Sequence, residues 1–165
     1  MYKKILIICM VLLLSSVSVS SALTQSEIEA IVVWAGCEGA TIQLMKEGHL
    51  GAWFDPSSIH LIFQGLDQVS DPIQVGIVLH ETAHCLQDQQ GILHFPTDPQ
   101  QEKDADRIAV IKGCEWGISP TWMPELGTWF AENQNYFGDR SHGSFADRIA
   151  HALMDLPEIC KWLLE

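Results

Sequence analysis

The sequence predicts an α+β domain that is mostly helical with a minor sheet, and three observations predict it. Apolar residues recur at helical spacing behind helix-start residues at Thr24, Asp71-Pro72, Asp98-Pro99 and Ser119-Pro120. One β-prone run, Ile59 to Phe63, follows the turn-rich stretch Asp55-Pro56-Ser57-Ser58. The 165 residues suffice for one core and contain no internal repeat or low-complexity tract.

The N-terminus reads as a signal peptide over residues 1–22. Lys3 and Lys4 precede ten apolar residues from Ile5 to Leu14, too few to span a bilayer comfortably. Small residues at Ser20 and Ala22 suit cleavage before Leu23, which leaves residues 23–165 as a single domain. Thr24 and Glu27 form a capping-box pattern, and Ile28, Ile31, Val32, Ala35, Ile42 and Met45 extend a helical period over about twenty residues. The run Ile59–Phe63 is expected to be a small edge strand or hairpin. Asp71-Pro72 starts a helix that stops at Gly91, and Gly76 inside it implies close packing, since glycine costs a helix about 1 kcal/mol against alanine. A further helix runs from Asp98-Pro99 to Gly113, a third begins at Ser119-Pro120, and a last one spans Ser144 to Met154 before Pro157.

Charge narrows the partners. With the leader gone, seven basic residues face 21 acidic ones, a formal charge of −14, which disfavours nucleic acid and anionic membrane surfaces. No other apolar run is long enough for membrane insertion after signal removal. Cys37, Cys85, Cys114 and Cys160 remain as an even set, which fits export to an oxidising compartment, the periplasm or the exterior. Two disulfides can form among them in three connectivities, and the spacing does not choose. Six tryptophans are expected mainly in the core or half buried against it.

Chemistry enters with His80-Glu81-Thr82-Ala83-His84. On a helix the two imidazoles lie one turn apart on one side and can share an ion. Glu81, turned by about 100° from His80, would face a coordinated water instead of the metal. The uncharged flanks Val78, Leu79, Cys85 and Leu86 are those of a helix buried beneath a cleft. A zinc ion so held needs a third protein ligand and leaves its fourth position to water. The long metzincin pattern is excluded, because Gln90 stands where its third histidine would be and Gln87 replaces its glycine.

Glu102 is the candidate third ligand, on the next predicted helix with Asp106 one turn later. Two acids at that spacing repel, and a nearby cation or a hydrogen bond to a ligating histidine relieves them. Asp106 is placed to accept from the outer nitrogen of a ligating histidine, with His80 as first choice. Ala105 and Ala109 give this helix a small-residue face for close approach to the histidine helix. The competing readings are a solvated acidic edge shared with Asp98 and Asp104, and His94 as the ligand.

The HETAH segment, the later Glu102-Lys103-Asp104-Ala105-Asp106-Arg107-Ile108-Ala109, and Ser141-His142-Gly143 followed by Arg148-Ile149 together resemble the gluzincin peptidases. That group includes the HtpX heat-shock peptidases, the CAAX prenyl endopeptidases and their soluble minigluzincin relatives, and the likeness covers most of residues 23–165. It implies a zincin-like minidomain with an active-site helix and a glutamate helix. It also implies one zinc per chain, Glu102 as third ligand and Asp106 as its support. Here Ser141 and Gly143 stand where that family often carries threonine and proline. The resemblance makes His142 a donor to the oxyanion or substrate and Arg148 a brace for an acid of the site; a plain loop histidine and an exposed arginine are the alternatives.

The function these residues imply is zinc-dependent hydrolysis of peptide bonds in exported proteins, with Glu81 taking a proton from the attacking water and passing it to the leaving amine. The strand at Ile59–Phe63 is the expected docking edge for an extended protein or peptide substrate. The alternative is a zinc-holding module that binds peptides in a chaperone-like way and cuts little or nothing; the presence of Glu81 argues against it.

Overall fold

The structure, a computed structural model, describes residues 22–45, 48–94, 97–133, 138–139 and 142–164. The predicted signal peptide lies, except for Ala22, outside the described residues. No helix among the described residues is long and apolar enough to cross a membrane.

Thr24 opens helix α1 (Gln25–Ala35) with a full capping box: its hydroxyl accepts from the Glu27 N–H, and the Glu27 carboxylate accepts from the Thr24 N–H. Gly36 ends the helix in the left-handed conformation at φ 110°. The expected twenty-residue helix is therefore half that length. Ile42 and Met45 sit on a strand instead, because their offsets of seven and ten from Ala35 coincide with a helical period that the chain has already left.

Strands β1 (Thr41–Met45), β2 (Gly51–Asp55) and β3 (His60–Gln64) form a sheet in the order β1-β3-β2, with β3 parallel to β1 and antiparallel to β2. The β-prone run is thus one arm of the β2–β3 hairpin, as one of the two expectations had it, and it is the central strand of the sheet instead of an edge, which corrects the other. Leu61 and Phe63 bury completely there, whereas β1 and β2 carry mixed residues and gave no separate signal. The hairpin joining β2 to β3 is tied by Asp55, whose carboxylate accepts from the Ser57 N–H at 2.9 Å and from both serine hydroxyls.

Helix α2 (Asp71–Gln89) begins behind Ser70, with Pro72 in its first turn where no N–H is needed. Helix α3 (Pro99–Glu115) starts at Asp98, whose carboxylate accepts from the N–H groups of Gln100 and Gln101. Helix α4 (Trp122–Asn133) follows, then the short pair β4 (Gly138–Asp139) and β5 (Gly143–Ser144), helix α5 (Phe145–Ala152) and helix α6 (Glu158–Trp162). Pro157 caps α6 instead of closing the chain's helical part, so one short helix escaped the sequence reading.

The core lies where α1 and α2 meet the sheet and α3 packs on α2, through Ile28, Val32, Leu61, Phe63, Val78, Leu79, Ala109 and Val110. Trp122 is buried, Trp34, Trp116 and Trp129 pack against the core, and Trp53 and Trp162 are exposed. Disulfides join Cys37 to Cys85 and Cys114 to Cys160, pinning α2 to the segment after α1 and the end of α3 to α6.

Close packing accounts for Gly76. A Cβ there would stand 2.3 Å from the Trp122 ring, so α4 meets α2 only because the side chain is missing. Gly76→Ala gains about 1 kcal/mol of helix propensity and loses about 1–3 kcal/mol to overpacking. The expected result is a lower urea midpoint; a variant as stable as wild type would remove this explanation for the glycine.

Candidate metal centre

The α2 period places His80 and His84 on one side of the helix, with ring centroids 4.7 Å apart and nearly perpendicular planes. Their Nε2 atoms face each other at 3.2 Å. Helix α3 packs on α2, with Ala105 and Ala109 fully buried, and its first turn presents Glu102 to the pair. Glu102 Oε2 lies 3.3 Å from His80 Nε2, and Oε1 lies 3.4 Å from His84 Nε2. These three side chains form a group that can hold a metal ion.

A cation suits this group because its nitrogens and oxygens meet as acceptors. Asp106 Oδ1 stands 2.9 Å from His80 Nδ1, a close polar contact without full hydrogen-bond alignment. Carboxylates accept, so the imidazole proton belongs on Nδ1 and the Nε2 lone pair faces inward. His84 is held in the same sense by Gln87, whose Oε1 lies 2.9 Å from Nδ1. Two lone pairs and a carboxylate thus converge in a buried space, and Glu102 Oε2 finds no hydrogen-bond partner there. Acceptors brought together in this way repel unless a proton or a metal ion lies among them.

Arg148, from α5, secures the far side. Its Nε and Nη2 donate to the two oxygens of Asp106 at 2.6 and 2.8 Å, a bidentate pair that is buried, and Nη2 also lies 3.5 Å from Glu102 Oε2. The guanidinium rests over the Phe145 ring, 5.2 Å from its centroid. Burial works against the Asp106 charge, yet Arg148 and His80 hold its carboxyl below the usual carboxylate range. Burial likewise opposes the Glu102 charge, and His80 and His84 more than reverse it.

Burial disfavours charge on His80 as well, but Asp106 and Glu102 outweigh it and lift the imidazole from 6.5 to about 10 when no cation is present. The metal-free fold therefore holds a proton that an unfolded histidine releases near 6.5. That contribution to stability is complete below pH 6.5 and fades as pH rises to about 10. A metal ion must displace the same proton, so its affinity is expected to gain about tenfold per pH unit below the raised pKa. At fixed free metal this adds about 1.4 kcal/mol of stabilisation per unit. Melting curves with and without metal between pH 6.5 and 8.5 read it; a metal-induced shift that does not grow with pH would refute it.

The group opens on a cleft of about 380 Å³. Glu81 is buried and lines it, makes no side-chain hydrogen bond or ion pair among the described residues, and lies outside the three-residue group. His142 lines the cleft too, while Ser141 beside it lies outside the described residues. One wall is β2, whose second edge pairs with no strand among the described residues. Met123, Leu126, Phe130 and Phe145 give the same cleft an apolar wall.

The structure thus brings His80, Glu81, His84, Glu102, Asp106, His142 and Arg148 around one cleft, and Arg148 is buried rather than exposed. His94 is exposed and outside the group. Gln87 escaped the sequence reading except as a missing glycine. Its signal was a position three after His84, on the same side of α2, masked by the other glutamines at 89 and 90. Comparison with known proteins adds no relative: no family model, no curated protein and no solved structure matches the chain.

Proposed function

We propose that the chain is a zinc-dependent endopeptidase of the gluzincin kind its motifs resemble, acting on exported or extracellular proteins. The observation that carries this is the convergence of two imidazoles and one carboxylate, one ligand atom of each lying within 4.8 Å of the others. The two Nε2 atoms stand 3.2 Å apart, and the carboxylate meets them at 3.3 Å through Oε2 and 3.4 Å through Oε1, separations close to the ligand–ligand edge of a tetrahedral zinc site, about 3.3–3.4 Å. Two imidazoles with one carboxylate suit zinc better than calcium or magnesium, which favour all-oxygen sites. Export is supported by the two disulfides, which suit an oxidising compartment.

Zinc held by His80, His84 and Glu102 would supply Lewis acidity, polarising a carbonyl and bringing the pKa of water down towards about 7. The protein's own groups do the rest. Glu81, which lines the same cleft as the two histidines, accepts the water's proton on its carboxylate and returns it to the leaving amine. His142 faces the same cleft as a donor towards the oxyanion. Substrate in extended form adds its backbone to the open edge of β2, the role the sequence reading gave to the strand that is in fact central. The apolar wall receives an apolar side chain of the substrate and excludes water from the reacting bond.

The test is a paired measurement on protein beginning at Leu23: zinc content, and cleavage of an unfolded protein substrate. One zinc per chain with cleavage that a chelator abolishes is expected. Bound zinc without cleavage would replace the peptidase with a peptide-holding module, and no bound zinc would end the metal reading.

A further inference from the structure

Gln87 is 2 % exposed, and both ends of its amide are engaged. Its Nε2 donates to the Gln101 carbonyl oxygen at 3.0 Å. A backbone carbonyl only accepts, so the nitrogen of the amide must point to Gln101 and Oε1 must point to His84 Nδ1, 2.9 Å away. Oε1 in turn only accepts, which places the imidazole proton on Nδ1 and frees Nε2 for the site. The orientation of one amide is thus dictated by a main-chain atom and passed to a histidine tautomer.

The carbonyl belongs to the residue before Glu102. Gln101 is itself fixed in the first turn of α3: its N–H donates to Asp98 Oδ1 at 2.9 Å, and its side chain donates to the Ile92 carbonyl at 2.8 Å. Gln87 therefore clamps the histidine of one helix to the turn that carries the carboxylate on the next. From this we infer that Gln87 is a positioning residue, which sets the tautomer of His84 and the spacing of the two ligand-bearing helices, and through both the affinity for metal. The inference rests on the metal-site reading above.

Two variants separate its two roles. Gln87→Met keeps length and apolar volume and removes donor and acceptor. Gln87→Glu keeps an acceptor for His84 but turns a second oxygen to the Gln101 carbonyl, breaking the clamp. Long-range nitrogen–proton NMR of the metal-free protein reads the tautomer, and chelator competition with zinc reads the affinity. Wild type is expected to show His84 protonated on Nδ1, Gln87→Glu to keep that signature, and Gln87→Met to populate the Nε2-protonated form. Zinc affinity is expected to fall by about 10–100-fold in Gln87→Met, the range for lost support of a ligating histidine.

An Nε2-protonated His84 in wild type overturns the inference without any variant, which covers a methionine variant that fails to fold. Unchanged tautomer and affinity in Gln87→Met overturn it as well. Should wild type bind no zinc, the metal reading falls, and the tautomer comparison still decides whether Gln87 places the proton.

Discussion

Glu81→Gln is expected to keep its metal and to lower peptide hydrolysis by about 10²–10⁴-fold, the range for loss of a general base. Glutamine has nearly the shape of glutamate, so the cleft wall and the packing of α2 are preserved. The glutamate is not one of the three converging side chains, so metal stoichiometry holds. What disappears is the carboxylate able to take a proton.

Stability supplies a second reading of the same variant. Glu81 is 7 % exposed, lines the cleft and has no hydrogen-bonding or ionic partner among the described residues, whereas an acid kept for the fold would be expected to pair with one. Replacing it with a neutral amide should leave the melting temperature unchanged or raise it. A structural acid would behave in the opposite way, with stability lost and activity following it down. Steady-state kinetics on an unfolded protein, metal analysis and a thermal melt on one preparation separate the cases. Full activity in the glutamine variant would remove Glu81 from the mechanism.

The parts of this fold that could be read from sequence are those whose signals are local. Helices α2 and α3 announce themselves through Asp71-Pro72 and Asp98-Pro99, because proline geometry and, at Asp98, side-chain capping act within four residues. The pairing of His80 with His84 follows from the helical period alone. Proximity of Glu102 and Asp106 to that pair needed a second helix to approach, and the alanines at 105 and 109 foretold the approach.

The rest depended on partners distant in sequence. Strands β1 and β2 are half exposed and gain their order from pairing with β3, so their own residues carry little period-two signal. The disulfide partners are 48 and 46 residues apart, and four cysteines alone do not favour one pairing. Gln87 is typical of what sequence reasoning passes over: a glutamine is unremarkable until the carbonyl of Gln101 and the imidazole of His84 arrive on either side of it.

Glu102→Ala is expected to lose metal altogether at micromolar protein, with affinity lower by at least about 100-fold, beyond the about 10–100-fold attributed to losing a mere supporting contact. Two effects combine. The substitution removes one of three donors, and it removes the negative charge that lies between the imidazoles and Arg148. With that charge gone, the guanidinium, 3.5 Å from Glu102 Oε2 in the intact site, presents its positive field to the same space and opposes any cation entering it. Glu102→Gln divides the two effects, since it keeps an oxygen donor and abolishes the charge; it should fall between wild type and alanine. The raised pKa of His80 should drop in both variants, because Glu102 is one of the two acids that lift it, so the pH dependence of the metal-free protein changes together with the metal affinity. Chelator competition and a pH titration of the histidine ring measure the two quantities independently. An alanine variant that binds metal as tightly as wild type would show that the carboxylate at 102 is a bystander, and the two histidines would then need another partner.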